Sequence, residues 1–267
     1  MTAKKEKAKK KKDSPGESFR TLIWALAIAL IIRTFFFQAF RIPSGSMEDT
    51  LVEGDFLLVD KLTFGAKIPG LDARFPGFRE PKRGDIIVFK DPRTNRDYIK
   101  RCIATEGELI EIVDNAVFIN EQPLDEPYKA IKPRPFDVRH TINPHRVSNG
   151  SVFMMGDNRN NSEDSRYWGD LNRDKIVGRA FVLYWSTDPS KAPEWVRDMD
   201  ETWVKGLLQL FLGRPRISRF GQWLAKDYTE TYEAGFAEPR AAVDSPETPN
   251  AALAAGSTVA LGGASAR

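Results

Sequence analysis

Three short stretches of this chain carry the residue types that acyl-transfer chemistry needs. Arg41-Ile42-Pro43-Ser44-Gly45-Ser46-Met47 is a proline-fixed Ser-Gly-Ser turn, small enough to present a hydroxyl. A serine hydroxyl is a weak nucleophile until a neighbouring base takes its proton. Histidine is the usual base. His140 and His145, however, fall in a loop with Pro133, Pro135 and Pro144, without acidic or thiol partners at metal-binding spacing. They read as exposed loop residues. The other option is a lysine kept neutral by burial, because desolvation disfavours the ammonium form. The best candidate is Lys100, in Asp97-Tyr98-Ile99-Lys100-Arg101-Cys102-Ile103. On a strand, Tyr98, Lys100 and Cys102 share one face, and Ile99, Arg101 and Ile103 share the other. Lys100 would then have largely apolar neighbours, with Arg101 pointing away. A lone strand lysine is still, by itself, most simply a solvated charge.

The third stretch is Gly156-Asp157-Asn158-Arg159-Asn160-Asn161-Ser162-Glu163-Asp164-Ser165-Arg166. One reading is a polar surface turn, which Asp and Asn favour by bonding their own backbone. The other is a loop that orients a base: Ser162 would hold a neutral lysine amine, and Asp164 with Arg166 would brace the loop. Composition does not choose between them.

The elements that must position these stretches begin with an anchor. Of the 267 residues, Lys4, Lys5, Lys7 and Lys9 to Lys12 form a basic block within a chain whose net charge is only +3. Leu22 to Ile32 is the longest uncharged apolar run, rising only ~16 Å as a helix. Extended through Phe40 it reaches ~28 Å, enough to cross a bilayer. Arg33 interrupts it, near enough to one end to snorkel outward, with the Phe35–Phe37 cluster as an aromatic belt. A cleaved signal peptide is the alternative, but bulky Phe35, Phe36, Phe37 and Phe40 stand where a small-residue cleavage site belongs. A retained anchor over 19–40 is therefore expected, with the basic tail 1–18 cytoplasmic and the remainder outside. Ser46, six residues past Phe40, could lie no more than ~20 Å from the anchor's end.

Beyond the anchor, short apolar runs predict strands: Asp55–Val59, Asp85–Phe89, Leu109–Val113, Ala116–Ile119, Val152–Met155 and Ala180–Trp185. Asp114-Asn115 is a two-residue hairpin signal. The pattern is an all-β, sandwich- or barrel-like domain over 41–228. Trp203 to Leu224 is too interrupted by Gly213 and Pro215 to span. It either packs on the β-domain or lies as a basic amphipathic segment in the membrane interface. Residues 229–267 have the Ala-, Pro-, Ser- and Gly-rich composition of a disordered tail. Cys102 is the sole cysteine, so no intramolecular disulfide is possible.

Taken together and in order, the three stretches resemble the type I signal peptidases, membrane-anchored Ser/Lys endopeptidases that remove signal peptides from exported proteins. The resemblance covers about residues 20–186. It runs through Ile42–Met47 with Thr50-Leu51, Gly54-Asp55-Phe56, Arg83–Phe89, Tyr98–Arg101, Met155–Arg159 and Asp164–Gly169. It implies a signal-peptidase-like antiparallel β-sheet catalytic domain with a smaller inserted β region at 104–150, preceded by one transmembrane helix, with Ser46 as nucleophile and Lys100 as general base. The oxyanion hole would be the Ser46 N–H with the Ser44 hydroxyl. Ser162 would orient Lys100, Asp164 and Arg166 would form structural ion pairs, and Asp157 and Asn158 would serve the same loop. It further implies signal-peptide-bearing preproteins as substrates and shallow apolar pockets for small residues. Membrane lipid would be a partner, with no cofactor, metal or nucleic acid. The enzyme would be single-pass in the cell (inner) membrane, with its catalytic domain extracytoplasmic.

Two departures fall beside the motifs. Asp49 replaces a usual proline, which would loosen the serine turn, and Ala104–Glu108 replaces the usual Gly-x-Pro-Gly-Asp. Three other readings compete. A self-cleaving Ser/Lys repressor would need a DNA-binding module where this chain has an anchor. An idle membrane-tethered β-module would not need Ser46, Lys100 and Ser162 together. A nucleic-acid binder would use the lysine block, which the adjoining apolar run assigns to membrane topology instead.

Overall fold

A computed structural model describes residues 15–68, 70–71, 73–132, 140–200, 202–226 and 228. The lysine block and the tail from 229 lie outside the described residues. Helix α1 (Pro15–Ile31) opens on a proline, whose missing N–H is harmless in a first turn. It continues as a π-helical turn, Ile32–Phe36. Gly16–Phe36 is long and apolar enough to cross a membrane, and none of it is buried within the protein. Phe19, Leu22, Trp24 and Leu26 are each at least 60 % exposed, as suits lipid rather than water.

The helix ends sooner than the sequence suggests. Phe37–Phe40, expected as the last turns of the anchor, lies instead in strand β1 (Phe37–Arg41), paired antiparallel with β2 (Asp55–Asp60). That neighbour takes its ladder hydrogen bonds on one side, and the Phe37 ring packs 5.5 Å from Phe181. Ser46 is thus the tenth residue after the helix, and half of that distance is strand fixed into the sheet.

The sheet continues through β3 (Ile86–Lys90) and β4 (Asp97–Thr105). After β4 come β5 (Leu109–Val113), β6 (Ala116–Ile119), β7 (Gln122–Pro123) and β8 (Ile142–Arg146), a separate four-stranded sheet in the order β7-β6-β5-β8. β5 and β6 meet through Asp114 and Asn115, both at positive φ, as a tight hairpin requires. The chain then returns through β9 (Ser151–Met155), the short helix α2 (Ser165–Trp168), β10 (Leu171–Asn172) and β11 (Ile176–Asp188). The large sheet runs β1-β2-β11-β3-β4-β9-β10. Register shifts bend β11 as it passes between β2 and β3.

β3 is buried on both faces, which is why its sequence is an unbroken apolar run. Ile86 and Val88 pack with Met47, Leu51 and Leu57, whereas Ile87 and Phe89 pack with Cys102, Val152 and Met154. A third cluster seats the inserted sheet on the main one, joining Ile110, Ile112, Val117 and Ile119 to Ile103, Phe153 and Met155. Past β11, α3 (Glu194–Arg197) leads to α4 (Trp203–Leu212), which packs on β11 through its buried side while Leu207, Phe211 and Leu212 remain exposed. The structure thus combines the two readings of this segment: one face packs, and the other stays apolar and open.

Candidate active site

Met47 and Leu51 are fully buried in the core beneath β2 and β3, which pins the turn that carries Ser46. That turn is 3-10 helical over Gly45–Met47, with Ser44 in extended backbone just before it. Lys100 sits on β4 opposite Ile87. The two elements meet with Lys100 Nζ 2.6 Å from Ser46 Oγ, and both side chains are buried. A cleft of about 320 Å³ opens onto them, lined by Pro43, Ser44, Tyr98, Ile99, Asn161 and Glu163 as well.

Burial pushes the Lys100 ammonium down to about 8. The Asp164 and Asp157 charges partly oppose that shift, but Lys100 makes no ion pair among the described residues. A lysine in this state gives up its proton near physiological pH, and a hydroxyl hydrogen-bonded to it has an acceptor in place. Ser46 N–H lies in the first turn of its 3-10 segment, where backbone donors have no partner within the helix. Ser44 is exposed on the same cleft.

The Gly156 loop clamps the serine turn from behind. Asn158 N–H donates to Ser46 O at 3.1 Å, and Asn158 Nδ2 donates to Gly45 O and Glu48 Oε2, each at 3.2 Å. Gly156 is needed for this approach: a Cβ there would stand 2.5 Å from Ser46 O and 2.2 Å from Ser162 Oγ. Asp164 and Arg166, both buried, pair at 2.8 Å, and the Arg166 guanidinium also donates to Arg159 O at 2.7 Å. Burial alone would raise the Asp164 carboxyl, but the Arg166 bonds and charge hold it below the usual range. Asp164 also accepts from Gly156 N–H at 3.0 Å, so the ion pair supports the glycine that touches the serine.

The expected role of Ser162 differs in the structure, whereas Asp157 has a structural one. Ser162 Oγ is buried and makes no hydrogen bond to the Lys100 amine among the described residues, so it does not hold that amine. Asp157 serves Arg101: its two oxygens accept from Arg101 Nε at 2.8 Å and Nη2 at 2.6 Å, and from Thr50 Oγ1 at 2.6 Å. His145 is also not a loop residue. It lies in β8 with Nε2 2.9 Å from Asp170 Oδ1, away from the cleft.

Several residues were not singled out in advance. Arg101 is sandwiched by Asp157 and the Tyr128 ring, whose centroid is 3.9 Å from its guanidinium carbon. Arg159 pairs with buried Glu126, tying the loop to the inserted region. Nothing local in the sequence marks these pairs, because their members lie 56 and 33 residues apart. Asp49 does not loosen the serine turn. It takes φ 79°, which proline cannot adopt, and Leu51 N–H still bonds Met47 O at 2.7 Å.

A serine hydroxyl beside a buried, unpaired lysine on a coiled antiparallel sheet is the arrangement of a serine hydrolase that takes its base from lysine rather than histidine. The chain belongs to the signal peptidase family, peptidase S26, whose model matches residues 16–185. It is 39 % identical over 184 residues to a signal peptidase I of Leptolyngbya laminosa, covering 66 % of this chain and 82 % of that one. It is 34 % identical over 206 residues to the Pseudomonas fluorescens signal peptidase I, covering 64 % and 72 %. The Aquifex aeolicus signal peptidase I matches at 32 % over 259 residues, covering 75 % and 95 %. With its N-terminal apolar helix, the chain is a membrane-anchored enzyme of this family.

Proposed function

We propose that this signal peptidase cleaves signal peptides from exported preproteins with Ser46 as nucleophile and neutral Lys100 as general base. The observation that carries the assignment is the 2.6 Å contact between Lys100 Nζ and Ser46 Oγ in a buried setting. As Ser46 Oγ attacks the scissile carbonyl, Lys100 Nζ takes its proton and hands it to the leaving amine, breaking the C–N bond. A water then gives its proton to Lys100 and attacks the acyl-serine, and the proton returns to Ser46 as the acid product departs. The Ser46 N–H and the Ser44 hydroxyl supply the donors for the oxyanion, worth about 2.7–4 kcal/mol of barrier for one such donor. Asn158, Asp164 and Arg166 are positioning residues, acting through the turn and Gly156. Asp157 keeps Arg101 in place.

The α1 helix crosses the membrane with the lysine block on the cytoplasmic side, and the β-domain faces the extracytoplasmic side. Membrane lipid is then a partner of the exposed anchor. Preproteins reach the cleft as their signal peptides leave the bilayer, and small side chains fit its shallow apolar wall.

Preprotein cleavage by the detergent-solubilised full chain tests the dyad. Ser46→Ala and Lys100→Met should each lower kcat by about four orders of magnitude or more while the melting transition persists. Turnover retained in either folded variant would remove that residue from the dyad. A serine-acylating inhibitor should label Ser46 in the wild type but not in Lys100→Met. Protease added to intact spheroplasts should degrade the β-domain; protection would reverse the topology.

A further inference from the structure

Where the anchor joins the sheet, two adjoining hollows divide by polarity. One, of about 300 Å³, has Thr34, Lys61, Lys67, Arg74, Asp174 and Lys175 in its wall. The other, of about 260 Å³, is lined by Phe35, Phe36, Leu62 and Phe75. Three dipeptides straddle the boundary: Thr34-Phe35, Lys61-Leu62 and Arg74-Phe75 each give their first residue to the polar hollow and their second to the apolar one.

Among the described residues that line the polar hollow, cations outnumber carboxylates. Lys90 and Asp97, also in its wall, pair with each other at 2.9 Å. Lys61 Nζ reaches the carbonyls of Arg33 and Thr34 at 3.1 and 3.2 Å, tying the hollow to the end of the anchor. Burial, and then the nearby Arg33 guanidinium, hold the Lys61 ammonium below its ordinary range. Positive charge is thus crowded where an anchored protein meets headgroups, and an anion seated there would relieve it.

We propose that the two hollows seat one anionic phospholipid, its phosphate among Lys61, Lys67, Arg74 and Lys175 and one acyl chain against the phenylalanines. The proposal rests on α1 lying in a bilayer. A free phosphate would use only half of the site, whereas a lipid matches a basic head and an apolar tail side by side. Asp97 lines both this polar hollow and the catalytic cleft. A bound headgroup would therefore hold the cleft at headgroup level, where a signal peptide emerges.

The test is lipid retention by the full chain, purified in mild detergent from an equimolar mixture of phosphatidylglycerol and phosphatidylcholine and read by mass spectrometry. Retention does not depend on peptidase activity, so it fails or succeeds apart from the dyad assignment. The wild type should retain phosphatidylglycerol over phosphatidylcholine, and Lys67→Glu/Lys175→Glu should lower that preference about tenfold or more. Phe75→Ser should reduce retention of both lipids. If charge reversal prevents folding, judged by the loss of a melting transition, Lys67→Gln/Lys175→Gln gives the same reading. Lys191→Glu/Arg197→Glu, two exposed cations away from the hollow, should leave the preference unchanged. The proposal is overturned if the folded cavity variants keep the wild-type preference or if the distant pair loses as much. It is equally overturned if inorganic phosphate at the lipid's concentration strips the phosphatidylglycerol.

Discussion

Lys100 and Arg101 are consecutive cations on β4, both buried, and the protein treats them in opposite ways. Arg101 is held by a bidentate carboxylate, a backbone carbonyl and an aromatic face. Burial works against its charge, but Asp157 more than offsets that and raises its pKa. Lys100 meets the same burial with no carboxylate bonded to it, and it falls to about 8. Strand alternation sends one to a structural pair and the other to a hydroxyl. The lesson is that burial alone does not make a base; burial without a counter-ion does.

The largest effect should come from breaking the paired side. Asp157→Asn leaves a buried guanidinium without its counter-charge, which typically costs about 3–5 kcal/mol. Thermal unfolding in detergent, followed by tryptophan fluorescence, should show a large drop in Tm. A drop no larger than that of an exposed substitution would mean that the pair carries little of the fold.

Removing the unpaired cation should do the reverse. The Lys100 pKa is lower folded than unfolded, so the folded state gives up its proton first as pH rises. Stability is therefore gained as pH climbs from about 8 towards the unfolded value near 10.5. Below about 8 the fold carries a buried charge, and Lys100→Met should be more stable there by roughly 1–3 kcal/mol. The variant's Tm should lose the rise with pH that the wild type shows across that window. For the wild type, kcat/KM should fall about tenfold per pH unit below that pKa as the neutral amine is titrated away. A rate that holds steady from pH 8 to 6 would refute the lysine base.

Gly156→Ala probes how the loop presses on the serine side of this contrast. The added methyl meets Ser46 O and Ser162, an overpacking that costs about 1–3 kcal/mol. Because a small displacement of the nucleophile is enough, kcat should fall by about a hundredfold with KM less affected. Wild-type kcat in this variant would show that the loop does not set the position of Ser46.

Much of this was legible beforehand. The alternation of Tyr98, Lys100 and Cys102 against Ile99, Arg101 and Ile103 is local geometry, and so is the hairpin at Asp114-Asn115, where residue type dictates the turn. The end of the anchor was not legible, since Phe35 to Phe40 is equally apolar as lipid-facing helix or as edge strand. Only pairing with β2, set by residues 55–60, decides. The partners of Arg101 and Arg159 were hidden for the same reason. A charge motif names its members, but the register between distant strands chooses which of them meet.

The smallest expected effect belongs to Ser162, and it sharpens the contrast most narrowly. Its hydroxyl is buried beside Gly156 without a hydrogen bond to the Lys100 amine, which among the described residues has Ser46 as its bonded partner. Ser162→Ala would then remove a hydroxyl that acts on Asp164 rather than a bond to the base. Stability should change by less than about 1 kcal/mol, with kcat falling less than about tenfold. The acid limb of the pH profile should keep its position, because no bond to the amine is lost. A loss of a hundredfold or more with a shifted acid limb would mean that Ser162 reaches Lys100 once substrate is bound, and that the base is held from two sides rather than one.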